Sequence, residues 1–190
     1  MNHSRARIST TLISLTLGAI AAPAAASPVD VPLAPLLERG ARFNELSRTL
    51  ALTVGNERVT IAASTTLRAY DLAAYGHDPL ARGVGLIDWP WSMGNNTDGT
   101  TITFSPPVSR VAVHAGDFSG DDDGPLTLTA YDCNGGVLST ASSPWNSGQS
   151  PPFAWLDVRA NEICRVVYHS NGQFGGSTFI DAVRFEPTRQ

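Results

Sequence analysis

Thr101-Ile-Thr-Phe-Ser105 is the first of three consecutive runs that decide the fold class of this chain. The second is Val108-Ser-Arg-Val-Ala-Val-His114 and the third is Leu126-Thr-Leu-Thr-Ala-Tyr131, and an acidic loop separates these two. Apolar and polar residues alternate in each run and β-branched types are frequent, which is typical of a strand with one buried face. The three runs therefore predict a β-sheet.

The flanking sequence continues this pattern in both directions. On the N-terminal side, Leu50-Ala-Leu-Thr-Val54 and Arg58-Val-Thr-Ile-Ala-Ala63 enclose Gly55-Asn-Glu57, which predicts a hairpin with a short turn. Further short runs extend to Phe185. Roughly nine to ten strands without a long helical period indicate an all-β fold, an antiparallel two-sheet β-sandwich.

The N-terminal residues 1–26 have the features of a cleavable signal peptide. Arg5 and Arg7 give a basic start, 8–22 carry no charge, and Ala24-Ala-Ala26 supplies small residues for cleavage. We expect a mature chain that begins near Ser27 and is secreted or periplasmic. Within it, the proline-containing stretch 27–42 predicts an extended lead-in, and 43–190 predicts a single β-sandwich domain.

Charge and hydropathy exclude several classes of partner. Loss of the two arginines of the signal peptide reduces 13 basic residues to 11 against 17 acidic ones, so the net charge falls from −4 to −6. All basic residues are arginines, scattered singly, which disfavours a nucleic-acid partner. After the signal peptide, no segment approaches the roughly 18 apolar residues of a membrane span. We expect a monomer without a membrane span.

The two cysteines predict one disulfide bond. Cys133 follows the Leu126 run and Cys164 opens the run Arg165-Val-Val-Tyr168, so both lie at strand ends, where a bridge could join neighbouring strands. Two reduced, buried thiols are the alternative.

Four segments together resemble a known kind of domain. They are Ile102-Thr-Phe-Ser-Pro-Pro-Val-Ser-Arg-Val111, Gly116-Asp-Phe118, Leu126-Thr-Leu-Thr-Ala-Tyr-Asp132 and Phe179-Ile-Asp-Ala-Val-Arg-Phe185. The chain resembles the exported jelly-roll or galactose-binding-like domains of PEP-CTERM-type bacterial surface proteins. The resemblance implies a ligand such as carbohydrate or another cell-surface polymer, often with a structural calcium ion. Because Glu186-Pro-Thr-Arg-Gln190 contains no apolar span and basic tail, we expect release rather than anchoring.

The acidic loop is a candidate calcium site. Asp117, Asp121, Asp122 and Asp123 place four carboxylates within seven residues, and calcium favours oxygen ligands on a flexible backbone. The spacing is not that of an EF-hand, since Leu128 stands where the closing glutamate belongs. The alternative is a hydrated turn whose aspartates cap backbone N–H groups.

Asp181 is a candidate buried acid. It has the same strand parity as Phe179, Val183 and Phe185, so alternation predicts that it shares a face with three large apolar residues. A buried carboxylate requires a metal ion, an arginine or backbone N–H donors. Of these, a structural hydrogen-bonding role is favoured.

Tryptophans are candidate platforms for sugar rings. Trp145 lies in the polar loop Pro144-Trp-Asn-Ser-Gly148, and Trp91 precedes polar turn residues, so these two are the predicted ligand-binding aromatics. Trp155 alternates with other strand residues and is predicted to be a core residue. The alternative for the loop tryptophans is packing at the edge of the sandwich.

No catalytic motif is present in the sequence. There is no His-Glu-x-x-His and no Gly-x-Ser-x-Gly, and nothing in the spacing selects Asp157 or Glu162 as a glycosidase acid. The favoured hypothesis is a secreted, non-catalytic binding module, glycan-binding with a structural calcium ion. A structural protein of the extracellular matrix or envelope and a polysaccharide hydrolase are the alternatives.

If calcium binds the acidic loop, the mature protein should melt at a higher temperature in calcium than in excess chelator, because a ligand that binds only the folded state stabilises it. Replacing Asp121 and Asp123 with Ala should abolish this difference. Equal melting temperatures across millimolar calcium would leave a hydrated turn instead.

Overall fold

The computed structural model describes residues 27–75, 83–89, 99–117, 125–143, 153–170 and 178–188. The described chain is almost entirely β, with one 3₁₀ turn at Ala34–Leu36 and one short helix, α1, at Leu72–Tyr75. The predicted all-β antiparallel fold is confirmed. The described residues form eleven strands: β1 Val29–Asp30, β2 Phe43–Glu45, β3 Thr49–Val54, β4 Glu57–Ala62, β5 Thr66–Asp71, β6 Val84–Trp89, β7 Thr100–Asp117, β8 Leu126–Tyr131, β9 Val137–Ser142, β10 Ala154–Ser170 and β11 Thr178–Pro187.

Two long strands, β7 and β10, pair antiparallel at the centre of the sheet. Their register runs from Ala154 opposite Ala115 to Tyr168 opposite Thr100. The other edge of β7 changes partner along its length, from β4 over 101–105 to β11 over 108–117. The change occurs at Pro106 and Pro107, which have no N–H to donate to a neighbouring strand.

The change of partner divides the fold into two halves that share β7 and β10. One half continues through β4 to β3 on one side and through β8 to β9 on the other. The second half continues from β7 through β11, β6 and β5 to β2. Phe104 of the first half contacts Phe185 of the second, with ring centroids 5.5 Å apart, so apolar side chains of both halves meet in one core.

Strand alternation explains which residues enter this core. Val111, Val113 and Ala115 of β7 are completely buried, as are Leu126 and Leu128 of β8. The residues between them face away from the core, because side chains on a strand alternate between its two faces. The sequence runs that predicted a sheet therefore have their apolar faces on the inside.

The predicted N-terminal hairpin is confirmed. Strands β3 and β4 pair from Thr49 opposite Ala62 to Val54 opposite Glu57. Gly55 between them has φ +65°, a conformation that glycine adopts without a steric penalty.

The lead-in 27–42 packs onto the domain. Val29 pairs with Phe185 in β11, and the Val31 amide donates to the Val183 carbonyl at 2.8 Å. Val31 and Leu33 are buried in the core. Among the residues described, no helix has both the length and the apolar character needed to cross a bilayer.

The predicted disulfide bond between Cys133 and Cys164 is present. The two Cα atoms are 5.1 Å apart, and the bridge joins the turn after β8 to the middle of β10. These strands are neighbours, with Tyr131 opposite Arg165. The bridge therefore links adjacent strands of the first half.

Replacing Cys133 and Cys164 together with Ala should lower the free energy of unfolding by about 3 kcal/mol, because the unfolded chain gains the entropy of an open loop. Urea denaturation would measure the loss. Reductant should destabilise the wild type by a similar amount and leave the double variant unchanged; a wild type insensitive to full reduction would contradict this account.

Candidate functional site

Several predicted site residues lie outside the described part of the chain. These are the acidic-loop residues Asp121, Asp122 and Asp123 and the loop tryptophans Trp91 and Trp145. Asp117 is the last residue of β7, opposite Thr178. Within the described ranges, no three His, Cys, Asp or Glu side chains are grouped so that they could hold a metal ion.

The outer face of β10, β7 and β11 carries a groove. Ala112 of β7 is flanked on β10 by Asp157 and on β11 by Arg184. Larger side chains surround this small residue, and they enclose a cavity of about 320 Å³. We call it the Ala112 groove; it is lined by Pro28, Arg110, Ala112, Trp155, Asp157, Arg184 and Phe185.

A network of ion pairs forms one end of the Ala112 groove. Arg110 donates from Nε to both carboxylate oxygens of Asp157, at 2.9 and 3.0 Å, and from Nη1 to Glu186 at 2.6 Å. The hydrogen bonds that Arg110 donates to Asp157 and then to Glu186 raise the pKa of Arg110 above its ordinary value, so this arginine is a permanent cation. Nε of Arg159 lies 3.9 Å from Oδ1 of Asp157, and its Nη1 lies 4.0 Å from Oε2 of Glu186.

Trp155 forms the other end of the groove. The prediction that it is a core residue is wrong: its neighbours Leu156 and Val158 enter the core, so Trp155 lies half-buried on the outer face. The guanidinium carbon of Arg184 is 4.5 Å from the centre of its ring, and the His114 ring centroid is 5.0 Å away. Asp157 and Arg159 follow Trp155 by two and four positions and therefore lie on the same strand face. Their charges are the feature of the sequence that indicates that this face points away from the core.

Beneath Trp155 lies a buried histidine–aspartate pair that sequence analysis did not identify. Nδ1 of His114 is 2.5 Å from Oδ1 of Asp181, and the two side chains are 5% and 0% exposed. Asp181 was expected to be a buried acid but had no assigned partner. The two residues are 67 positions apart, and no local pattern in the sequence connects them.

The face predicted for Asp181 requires correction. Asp181 is an extra residue on β11, between Ile180 opposite Ala115 and Ala182 opposite His114. Such a β-bulge reverses the alternation of the strand. Val183 and Phe185 consequently enter the main core, whereas Phe179 belongs to a separate small cluster with Leu72, Ile87 and Phe153.

A second cavity lies on the other side of Arg184. It has a volume of about 310 Å³ and is formed where β1 and β6 leave the middle of β11 uncovered. Asp30, Asp181 and Arg184 are among its lining residues. Arg184 therefore lines both cavities.

Comparisons with known proteins identify the fold. The chain matches no protein-family model and no curated protein. A crystal structure of a DUF4465 family protein from Bacteroides caccae is similar, with a TM-score of 0.51 and 12% identity over 84% of this chain and 99% of that one. A DUF4465 family protein from Bacteroides ovatus gives a TM-score of 0.44 and 12% identity over 84% and 98%. The likeness to the first shows a shared fold.

Replacing Asp181 with Ala should lower the free energy of unfolding by about 3 kcal/mol, because it leaves the buried His114 without its partner. The Asp181→Asn variant retains hydrogen-bonding capacity and should lower the free energy of unfolding by less. Asp30→Ala is the matched control: its carboxylate is 66% exposed, so its loss should cost less than about 1 kcal/mol. If urea denaturation shows that the two Ala variants lose equal stability, the contact between Asp181 and His114 does not stabilise the fold as inferred.

Proposed function

We propose that the protein is an exported, non-catalytic binding module for a glycan and that the glycan binds in the Ala112 groove. One observation carries this proposal: a half-buried tryptophan stands beside fixed hydrogen-bonding groups around a small floor residue. Trp91 and Trp145 stay predictions, and the Ala112 groove is proposed as a ligand site from the arrangement of its own residues.

The chemistry of the groove suits a sugar. A sugar ring has an apolar C–H face and a rim of hydroxyl groups, so it needs an aromatic surface next to donors and acceptors. Trp155 supplies the aromatic surface, Asp157 supplies acceptor oxygens, and Arg110 and Arg184 supply donors. A volume of about 320 Å³ is also in the range of small-molecule pockets.

The ion pairs favour binding over hydrolysis. A glycosidase needs one carboxylic acid that delivers a proton and a second carboxylate opposite it. Asp157 and Glu186, the carboxylates at this end of the groove, are both hydrogen-bonded to the same Arg110 guanidinium. The arrangement instead holds the groove's polar atoms in place for recognition.

Export and calcium complete the proposal. Strand β1 begins at Val29, so cleavage before Ser27 would leave every strand that the structure describes in the mature chain. The acidic loop from Asp117 to Asp123 would hold a structural calcium ion. Resemblance to PEP-CTERM-type surface domains supports both of these expectations.

Glycan binding should depend on Trp155. The Trp155→Ala variant should bind the glycans retained by the wild type at least about tenfold more weakly, because a packed tryptophan is a typical hot spot. Ala112→Gln, which fills the groove without removing a contact, should have the same effect. A glycan array followed by calorimetry would measure both.

Phe43→Ala is the control, because this aromatic side chain is 47% exposed on the distant edge strand β2. It should bind like the wild type. A folded Trp155→Ala and a folded Ala112→Gln that both retain full affinity would place the glycan elsewhere.

A further inference from the structure

Most charges around the Ala112 groove already neutralise one another. Arg110 uses its Nε and both terminal nitrogens on Asp157 and Glu186. Arg159 lies beside the same two carboxylates. A ligand therefore meets little unbalanced charge at this end of the groove.

Arg184 differs from these arginines. Its ion pair is with Asp30, through Nε alone, and the two side chains are 38% and 66% exposed. Within the described ranges, its Nη1 and Nη2 atoms make no hydrogen bond to the protein. Arg184 thus offers two terminal donor groups at the groove wall.

The position of Arg184 suits recognition of an anionic group. Its guanidinium lies over the Trp155 ring at 4.5 Å, and a guanidinium held on an aromatic face keeps its in-plane N–H groups for a partner. Arginine binds carboxylates through two parallel hydrogen bonds, which are stronger than neutral ones. A carboxylate attached to a sugar beside Trp155 would reach this fork.

We propose, on the basis of the function proposed above, that the glycan bound in the Ala112 groove carries a carboxylate, as uronic acids do, and that Arg184 binds it. Asp30 is a weak internal competitor: it presents the same chemical group to the same guanidinium from an exposed strand. The ligand carboxylate takes the place of Asp30 or shares the guanidinium with it.

The test compares each acidic probe with its own neutral form. Oligogalacturonate and oligoglucuronate are titrated beside the same oligomers after reduction of their carboxylates to alcohols. Salt near 0.15 M screens the negative charge of the mature protein beyond about 8 Å. Differences in affinity between the acidic and the reduced oligomers therefore reflect contacts in the groove. The proteins are the wild type, Arg184→Gln, Asp30→Asn, Trp155→Ala and Arg58→Gln, and oligoglutamate is titrated as an acidic probe without a sugar.

The wild type should bind at least one acidic oligomer about tenfold more tightly than its reduced form. Arg184→Gln should remove this preference while keeping residual binding of both forms. Asp30→Asn should tighten only the acidic form, by a few-fold. Arg58→Gln removes the same charge from an exposed arginine of β4, which does not line the groove, and should retain the preference.

Three outcomes would overturn the inference. If acidic and reduced oligomers bind equally and Trp155→Ala abolishes both, the glycan site stands but Arg184 does not select acids. If Arg184→Gln weakens both forms equally, Arg184 only supports Trp155. If oligoglutamate binds as well as the uronates and its binding survives Trp155→Ala, the groove recognises acidic peptides and the proposed function fails too.

Discussion

The antiparallel pairing of β7 with β10 is the constraint on which the rest of the structure depends. It is continuous except near Pro106 and Pro107, and every other described strand joins it directly or through one or more intervening strands. Because the side-chain period of a strand is two, burying Val111 and Val113 obliges Ala112 to face outward. A one-residue slip in the register of β7 against β10 would exchange the buried and the outward-facing side chains of the strand. The Ala112 groove is therefore a direct consequence of how the core is packed.

The bulge at Asp181 extends this constraint to β11. By adding one residue, it places Phe179 on the outer side while turning Val183 and Phe185 into the core. Arg184, next to both of these residues, is consequently directed to the groove. The buried contact between Asp181 and His114 offsets the cost of the unpaired bulge residue and of burying two polar side chains.

The sequence predicted features that depend on local chemistry and missed those that depend on long-range register. Gly55 and the strand formers around it predicted the hairpin, and strand-end placement predicted the disulfide. Trp155 shares a strand face with Asp157 and Arg159, and these two charges, not the apolar character of the ring, determine that this face is the outer one. The orientation of β11 was misassigned because strict alternation does not anticipate a bulge. The sequence predicts roughly nine to ten strands, and the described residues form eleven. The difference arises because the lead-in forms β1, which becomes a regular strand only by pairing with β11.

In the proposed function, the charged side chains around Ala112 contribute to recognition more than to stability. The ion pair of Arg110 with Glu186 is largely buried, and the desolvation of such a pair offsets much of its Coulombic attraction, so the pair adds little net stability to the sheet. Arg110 and its carboxylates do hold one another in defined positions, which reduces the entropy lost when a ligand orders them. Arg184 is held less firmly, by an aromatic face and one exposed carboxylate. In the proposed function, a groove with rigid, neutralised walls derives its selectivity for charge from this incompletely paired cation.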